Sequence, residues 1–594
     1  MPDRFSALLQ QTSIVGCLLG TLATAYFLAG MAGFVGHPLT SSSVVATLLG
    51  AVVFFCYAWI GAFRETNLLG RFLWLLTVLI FAGEIILGLV PPTARDELTH
   101  HLAIPRLYAE AGRIVEVPMA PYSYFPMLLD MLYTPWVYWG HDFVPKFVHA
   151  LFGLLTGLSL YAYLSRRMNG VYGLIGFFFF LSVPVVLRLS HWAYVDLGLT
   201  FYTTAALLCL LRWREEKNSR SWLIMAALSA GFAVAVKPNG LVALLLLSFL
   251  FLFALASDPG RRASKVVSEI TTFGLFSLLP VLPWLAKNWA QTGNPFFPHL
   301  AGFFAGRVVE STVAAASHAG LGIFAKRQTL YGESGWEIAA LPLRIFFSGQ
   351  DDNPQYFDGV LSPALILLLP WAFRGKWIEE KRYFASFALL FFAFAVFLVD
   401  LRIRYILPIV PPLVILLVYG GFNVYLRMTQ PAYLLVGALL FVGVNGTYLW
   451  SYVRDTAAVG YLLGHENREA YLTRVLAEYP VFQFINRETP PSAKIYLLFV
   501  GRRAYYCKRD YFHDGGELPG LLLHAIQSAR DPAQIEKSLK AKRITHLMIR
   551  EDLLERFLSH NLSANQREIW NAFIAQRLQA RFRHRGYSLY QIYD

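Results

Sequence analysis

Long apolar runs separated by short polar breaks fill the first three quarters of the chain. Taken in order they predict about thirteen membrane-crossing helices. The runs fall at 13–34, 43–63, 72–90, 143–164, 171–189, 197–213, 221–236, 241–256, 268–286, 356–373, 383–400, 405–426 and 431–453. Several are shorter than the roughly 20 residues that a hydrocarbon core about 30 Å thick demands. Such segments are expected to be broken, or to pack beside a cavity. The sequence AVAVKPNG (233–240) is one case: Pro238 and Gly240 predict a broken hairpin in place of two full crossings. The first run is too long for a signal-peptide core and no A-x-A site closes it, so it is read as a span.

The pattern changes after residue 453. Residues 454–594 are charged, hold strand-like runs, KIYLLFV (494–500) and THLMI (545–549), and end in YSLYQIY. Helical periodicity lies around 466–488, 519–541 and 552–580. The expected architecture is therefore an α-helical polytopic membrane protein, residues 1–453, followed by a small mixed α/β domain, residues 454–594. Longer polar segments at 91–142 and 287–355 belong to the membrane domain.

Composition agrees with lipid as solvent. Of 594 residues 56% are hydrophobic and only 15% charged, with a mean hydropathy of +0.47; a soluble chain carries roughly a quarter charged residues. The net charge of +13 would suggest nucleic acid in a soluble protein. Here it follows from Lys and Arg gathered in short loops. Arg4, Arg64, Arg71, Arg166, Arg167, Arg212, Arg214, Lys217, Arg220, Arg261, Arg262, Lys265, Arg374, Lys376, Lys381, Arg382 and Arg427 all fall on one side by the parity of the spans. The positive-inside rule makes that side cytoplasmic. Segments 91–142, 287–355 and the C-terminal domain are then extracytoplasmic. A lack of eukaryotic processing signals points to a bacterial inner membrane, with a cytoplasmic N-terminus and a periplasmic C-terminal domain. Cys17, Cys56, Cys209 and Cys507 have no spacing that suggests a disulfide framework or a zinc site.

Candidate chemistry collects on the extracytoplasmic side. The run PPTARDELTHHLAIPRLYAEAG places Asp96 and Glu97 directly after a span, with His100 and His101 following. An acidic pair at a span end is either a solvated loop feature or a general base for a hydroxyl or amine acceptor. Residues 98–112 have the spacing of an amphipathic helix that can cap a cavity. Asp196, at the start of a later span, is either structural or, with Glu97, a ligand for a divalent cation such as Mg or Mn. His191 and Tyr405 are further cavity candidates. Cations on this side are scarce: Lys237, Lys287, Arg402 and Arg404. At membrane depth they need anionic partners. Those are headgroups, Asp351, Asp352 or Asp400, or a lipid-linked phosphate, which suits the Arg fork. No phosphate loop, G-x-S-x-G, H-E-x-x-H or dinucleotide fingerprint occurs, so no nucleotide cofactor is expected.

These motifs, in their order along the chain, resemble the GT-C superfamily of polyprenyl-phosphate-dependent glycosyltransferases, which includes protein O-mannosyltransferases and lipid A aminoarabinose transferases. The resemblance is carried by the Asp96–Glu97 run DELTHHLAIPRLY, by YVDL (194–197), by Lys237, by TGNPFFP (292–298) and by RYILP (404–408). It implies an inverting transfer from a polyprenyl-phosphate sugar to a glycan, lipid or protein acceptor. Asp96 would be the base, and Lys237, Arg402, Arg404 and Lys287 the phosphate contacts. The run after the acidic pair differs from that of the aminoarabinose transferases, so lipid A is not implied as acceptor. W-W-D-Y-G and D-x-D signatures of oligosaccharyltransferases are absent. A transporter or flippase, and an inactive scaffold, are the competing classes, since broken spans with intramembrane charge also mark carriers.

Overall fold

The computed structural model describes residues 2–216, 219–258, 260–300, 302–304, 323–398, 401–427, 432–514 and 519–593. Lys217 and Asp400 lie outside them. The protein is mostly helical and integral to a membrane, with a small C-terminal sheet.

Among the described residues, five helices are long and apolar enough to cross a membrane, or up to seven when two bent pairs count as one span each. The N-terminal three, Arg4–Met31, Pro38–Arg64 and Leu68–Gly88, are peripheral: Leu68–Gly88 has only 17% of its apolar window buried, and Leu75 and Leu79 face outward. Apolar side chains turned away from the protein are what a lipid-facing helix requires. The Val144–Arg167 and Ile403–Tyr425 helices are central, with 83% buried.

Proline explains most departures from uninterrupted spans, because it removes a backbone N–H and clashes with the preceding turn. Gly170–Leu181 and Pro184–Ser190 meet at 70°, and Ala263–Leu278 meets Leu282–Thr292 at 52°. The apolar run at 356–373 forms only two short helices, Ala364–Leu367 and Leu369–Ala372, the second starting around Pro370. Around Lys237 two 17-residue helices, Arg220–Val236 and Gly240–Ala256, are joined by a tight turn, with Gly240 N–H donating to the Lys237 carbonyl at 2.8 Å. A Cβ on Gly240 would lie 2.1 Å from the Ala233 carbonyl oxygen, so this turn demands glycine.

At one end of the bundle, basic ends of helices meet in an ion network: Arg166 and Arg167 with Glu215, Arg167 with Glu380 at 2.5 Å, and Arg214 with Glu379. Helix ends grouped together by parity of the spans are thus in contact.

The C-terminal domain contains a five-stranded sheet. Its strands are β1 (Lys494–Leu498), β2 (Asp510–Phe512), β3 (His546–Arg550), β4 (Leu578–His584) and β5 (Tyr587–Ile592), in the order β2-β1-β3-β5-β4. β1 runs parallel to β2 and β3, whereas β5 is antiparallel to β3 and β4. Ile495, Tyr496, Leu547 and Leu589 are fully buried between helices and sheet. The domain is fastened to the segment carrying Asp96. Arg106 donates to the carbonyls of Tyr505 and Cys507, Tyr505 N–H to the Leu98 carbonyl, and Tyr506 Oη to the Pro92 carbonyl.

Candidate active site

The chain turns sharply after the Leu68–Gly88 helix into a single π-helical turn, Glu97–His101, and then the short helix Ala103–Ala111. In the π turn, Leu102 N–H donates to the Glu97 carbonyl, one residue further back than in an α-helix. The Glu97 side chain, fully buried, ties this corner together. One carboxylate oxygen accepts from Thr93 N–H (3.0 Å) and Ala94 N–H (2.9 Å), and the other from Ala193 N–H (2.7 Å). Burial pushes its pKa up, opposed by Lys146 and by these N–H groups. Glu97 lines neither cavity described below; its contacts are those of a brace.

Asp96 sits beside the brace with its own N–H donating to Tyr194 Oη at 3.2 Å. Its carboxylate meets Arg404 Nη1 at 2.5 Å. Burial alone would raise the Asp96 pKa, but the guanidinium of Arg404 and neighbouring His100 and His101 outweigh it and hold the group well below the usual carboxylate range. The Arg404 guanidinium also lies over the rings of Tyr194 (5.1 Å) and Tyr405 (5.0 Å). Tyr405 serves a second cation: Lys237 Nζ is 4.6 Å from its ring and 2.8 Å from Asp196 Oδ1. Asp196 is 1% exposed, and its Oδ2 has no hydrogen-bond partner among the described residues. Arg402 pairs with Asp358 at 3.2 Å, and Asp358 in turn, with Asp351 and Asp352, holds Arg188.

Two cavities meet here. The larger, about 800 Å³, is lined by Asp96, His100, His101, Lys237, Arg402, Arg404 and Tyr405, with His299 and Asp130. The smaller, about 420 Å³, is lined by Lys146, Arg188, His191 and Tyr452 among others. Arg95, Asp96, Arg402 and Arg404 line both and form a charged partition. The C-terminal domain closes the larger cavity. The carboxyl ends of β1 and β2 present Phe499–Arg502 and His513–Asp514, the position at which parallel sheets usually meet ligands.

Most of the residues singled out in the sequence come together: Asp96, His100, His101, Asp196, Lys237, Arg402, Arg404 and Tyr405 form one neighbourhood. His191 lies on the smaller cavity, with Nδ1 3.1 Å from Glu84. Lys287 lines neither cavity. It is buried and donates to the Ser123 carbonyl at 2.5 Å, so it anchors the 121–124 turn. The TGNPFFP motif has a related effect: Asn294 donates to the His299 carbonyl at 2.8 Å, which fixes a residue of the cavity wall.

Four contributors were not apparent from sequence reasoning: Arg95, Asp130, His299 and Arg502. Asp130 binds His101 Nδ1 at 2.8 Å, and burial lowers the His101 pKa to about 3. A lone acid in the apolar run LLDMLYTPW was the available signal, since a buried carboxylate requires a partner. A divalent cation does not fit these residues well. Asp96 and Asp196 are each taken by a cation, Glu97 by backbone N–H groups, and no three His, Cys, Asp or Glu side chains among the described residues are grouped to hold one.

The arrangement defines a class: a bundle of apolar, membrane-length helices with a cavity that joins a carboxylate to several cations under an α/β cap. Residues 140–286 match the protein family described as dolichyl-phosphate-mannose-protein mannosyltransferase. Among solved structures, ArnT from Cupriavidus metallidurans in the apo state is similar to 87% of this chain, over 97% of its own, with a TM-score of 0.55 and 15% identity. The same protein bound to undecaprenyl phosphate is similar over 88% of this chain and 98% of its own, with a TM-score of 0.52 and 13% identity. A search of curated proteins finds no match in sequence. The chain therefore shares its overall fold with ArnT along nearly the whole length of both proteins.

Proposed function

We propose that this protein transfers a sugar from a polyprenyl-phosphate donor to a glycan, lipid or protein acceptor on the extracytoplasmic face of a bacterial inner membrane. The reading rests on one observation: within a GT-C fold, Asp96 and the cations Lys237, Arg402 and Arg404 share a single cavity wall. ArnT, similar in fold, has been solved with undecaprenyl phosphate bound, and that ligand class is carried over here as part of the proposal. The basic end of the bundle faces the cytoplasm by the positive-inside rule.

The donor phosphate sits against Arg404, Arg402 and Lys237. The acceptor occupies the larger cavity beneath Phe499–Arg502, with its hydroxyl opposite the phosphate. As the acceptor oxygen bonds to the anomeric carbon, the bond from that carbon to the phosphate oxygen breaks and its electron pair leaves with the phosphate. Asp96 takes the acceptor proton. Arg404 couples the two ends of this reaction. A phosphate that draws its guanidinium away removes the counterion of Asp96, and the carboxylate gains basicity as the donor arrives. Charge grows on the leaving phosphate, so preorganised cations stabilise the transition state beyond the ground state; losing one costs roughly 2–4 kcal/mol of barrier. Glu97 holds Asp96 in place, and no step is routed through a metal.

The test is transfer by the purified protein in nanodiscs, supplied with radiolabelled polyprenyl-phosphate sugars or with the corresponding nucleotide sugars. Label reaching an acceptor from lipid-linked donors alone supports the reading. Transfer from nucleotide sugars alone, or none from a broad donor panel while labelled lipid crosses the bilayer, overturns it.

A further inference from the structure

Each cation so far placed against the donor phosphate already has a carboxylate partner: Arg404 has Asp96, Lys237 has Asp196 and Arg402 has Asp358. The first two pairs are neutral and Arg402 belongs to a cluster with Arg188 and three aspartates, so phosphate must displace a carboxylate before it gains a full positive charge. A site that only exchanges one anion for another gives little net attraction.

Arg95 differs from these three. Its side chain is exposed, it lines both cavities, and it makes no ion pair among the described residues. Its backbone is nevertheless fixed on both sides. Thr93 and Ala94 N–H groups are held by Glu97, and Asp96 N–H by Tyr194 Oη. The Cα is therefore anchored beside Asp96, while the guanidinium reaches the partition from either cavity. Such a residue offers uncompensated charge at a set distance from the base.

We propose that Arg95 is a phosphate-binding residue of the donor site. This inference rests on the lipid-linked donor proposed above. A glycosyl phosphodiester carries one negative charge, whereas the departing polyprenyl monophosphate carries close to two above its second pKa of about 6. The unpaired guanidinium of Arg95 matches the charge that appears as the bond breaks, and it does so bidentately. Its grip is therefore firmer on the product phosphate than on the donor diester.

The probe is undecaprenyl phosphate alone, titrated into the full-length protein in nanodiscs at pH 8 and at pH 5.5, with Arg95→Gln and Arg95→Lys alongside. Arg95→Gln is expected to weaken binding about 10- to 100-fold at pH 8. The loss should be several-fold smaller at pH 5.5, where the phosphate is closer to a monoanion. Arg95→Lys should fall between, because it keeps the charge and loses the fork. The unfolding temperature should be unchanged for an exposed side chain. Wild-type affinity in Arg95→Gln overturns the proposal, and so does an equal loss at both pH values, which marks a structural effect. A raised acceptor KM with undecaprenyl phosphate binding intact also overturns it. Folded wild-type protein with no affinity for undecaprenyl phosphate sinks the donor reading itself.

Discussion

Replacing Glu97 by Gln separates a brace from a catalytic acid. The carboxylate serves three backbone N–H groups through two oxygens, at 2.7 to 3.0 Å. Glutamine has one acceptor oxygen and an NH₂ group in place of the other. If its oxygen faces Thr93 and Ala94, the NH₂ group opposes Ala193 N–H and leaves that buried donor without a partner. An unsatisfied buried donor costs about 1–3 kcal/mol, and the opposite orientation strands two donors instead of one. The expected loss of stability is thus about 2–3 kcal/mol, with the corner at Asp96 loosened. A displacement near 1 Å of a catalytic group can cost about 10²-fold in rate. Thermal unfolding and kcat measured on the same nanodisc preparation should therefore fall together. Unfolding at the wild-type temperature with turnover abolished would refute the reasoning, since a group that leaves stability untouched but stops the reaction acts in the chemistry.

Lys287→Met is expected to lower thermal stability while leaving the donor KM within about twofold of wild type, because the ammonium holds the Ser123 carbonyl and lines neither cavity; steady-state kinetics on the variant checks this. Gly240→Ala forces a Cβ against the Ala233 carbonyl and should displace the Lys237 turn, costing at least about 1–3 kcal/mol of stability and raising the donor KM, read by unfolding and kinetics together. His513 has its pKa lowered to about 4 by burial, against about 6.5 in an unfolded chain. Between those values the unfolded state binds more protons, so stability rises with pH across that window and is lost on acidification from about 6.5 toward 4. His513→Gln should flatten that part of the stability–pH curve, with unfolding of the full chain as the measurement.

The membrane architecture was legible in outline because lipid imposes a simple rule, long apolar runs, but of the thirteen runs read only five, or up to seven with bent pairs, are helices of membrane-crossing length among the described residues. What periodicity and hydropathy did not reveal was where runs bend. The Pro184 junction turns by 70°, and the run at 356–373 is divided around Pro370. In the C-terminal domain the run at 494–500 contains β1 and the run at 545–549 covers all but the last residue of β3, and both strands are mostly buried on both faces. β4 was not foreseen, and its first three residues fall in the helical pattern at 552–580: its burial pattern is mostly exposed, and pairing with β5, not its own composition, makes it a strand. At the site, acidic and basic residues in odd places pointed to the neighbourhood, since charge near lipid needs a partner. The partners themselves were not readable. Asp96 and Arg404 are 308 positions apart, and only the fold sets them face to face. Glu97 shows the limit most plainly. It adjoins Asp96 in sequence, yet its carboxylate turns inward to the backbone while that of Asp96 meets Arg404 at the cavity wall.

The most direct test of the account is turnover of a radiolabelled polyprenyl-phosphate sugar by wild type and Asp96→Asn in nanodiscs, with undecaprenyl phosphate binding as the control for folding. Asp96→Glu serves as a second variant, because Asn leaves Arg404 without its counterion. The account predicts that Asp96→Asn still binds undecaprenyl phosphate but loses at least about 10²-fold in turnover, with Asp96→Glu retaining a measurable fraction. Wild-type turnover in Asp96→Asn would contradict it, and would move the proton acceptor to another group on the cavity wall, with the His101–Asp130 pair first to be examined.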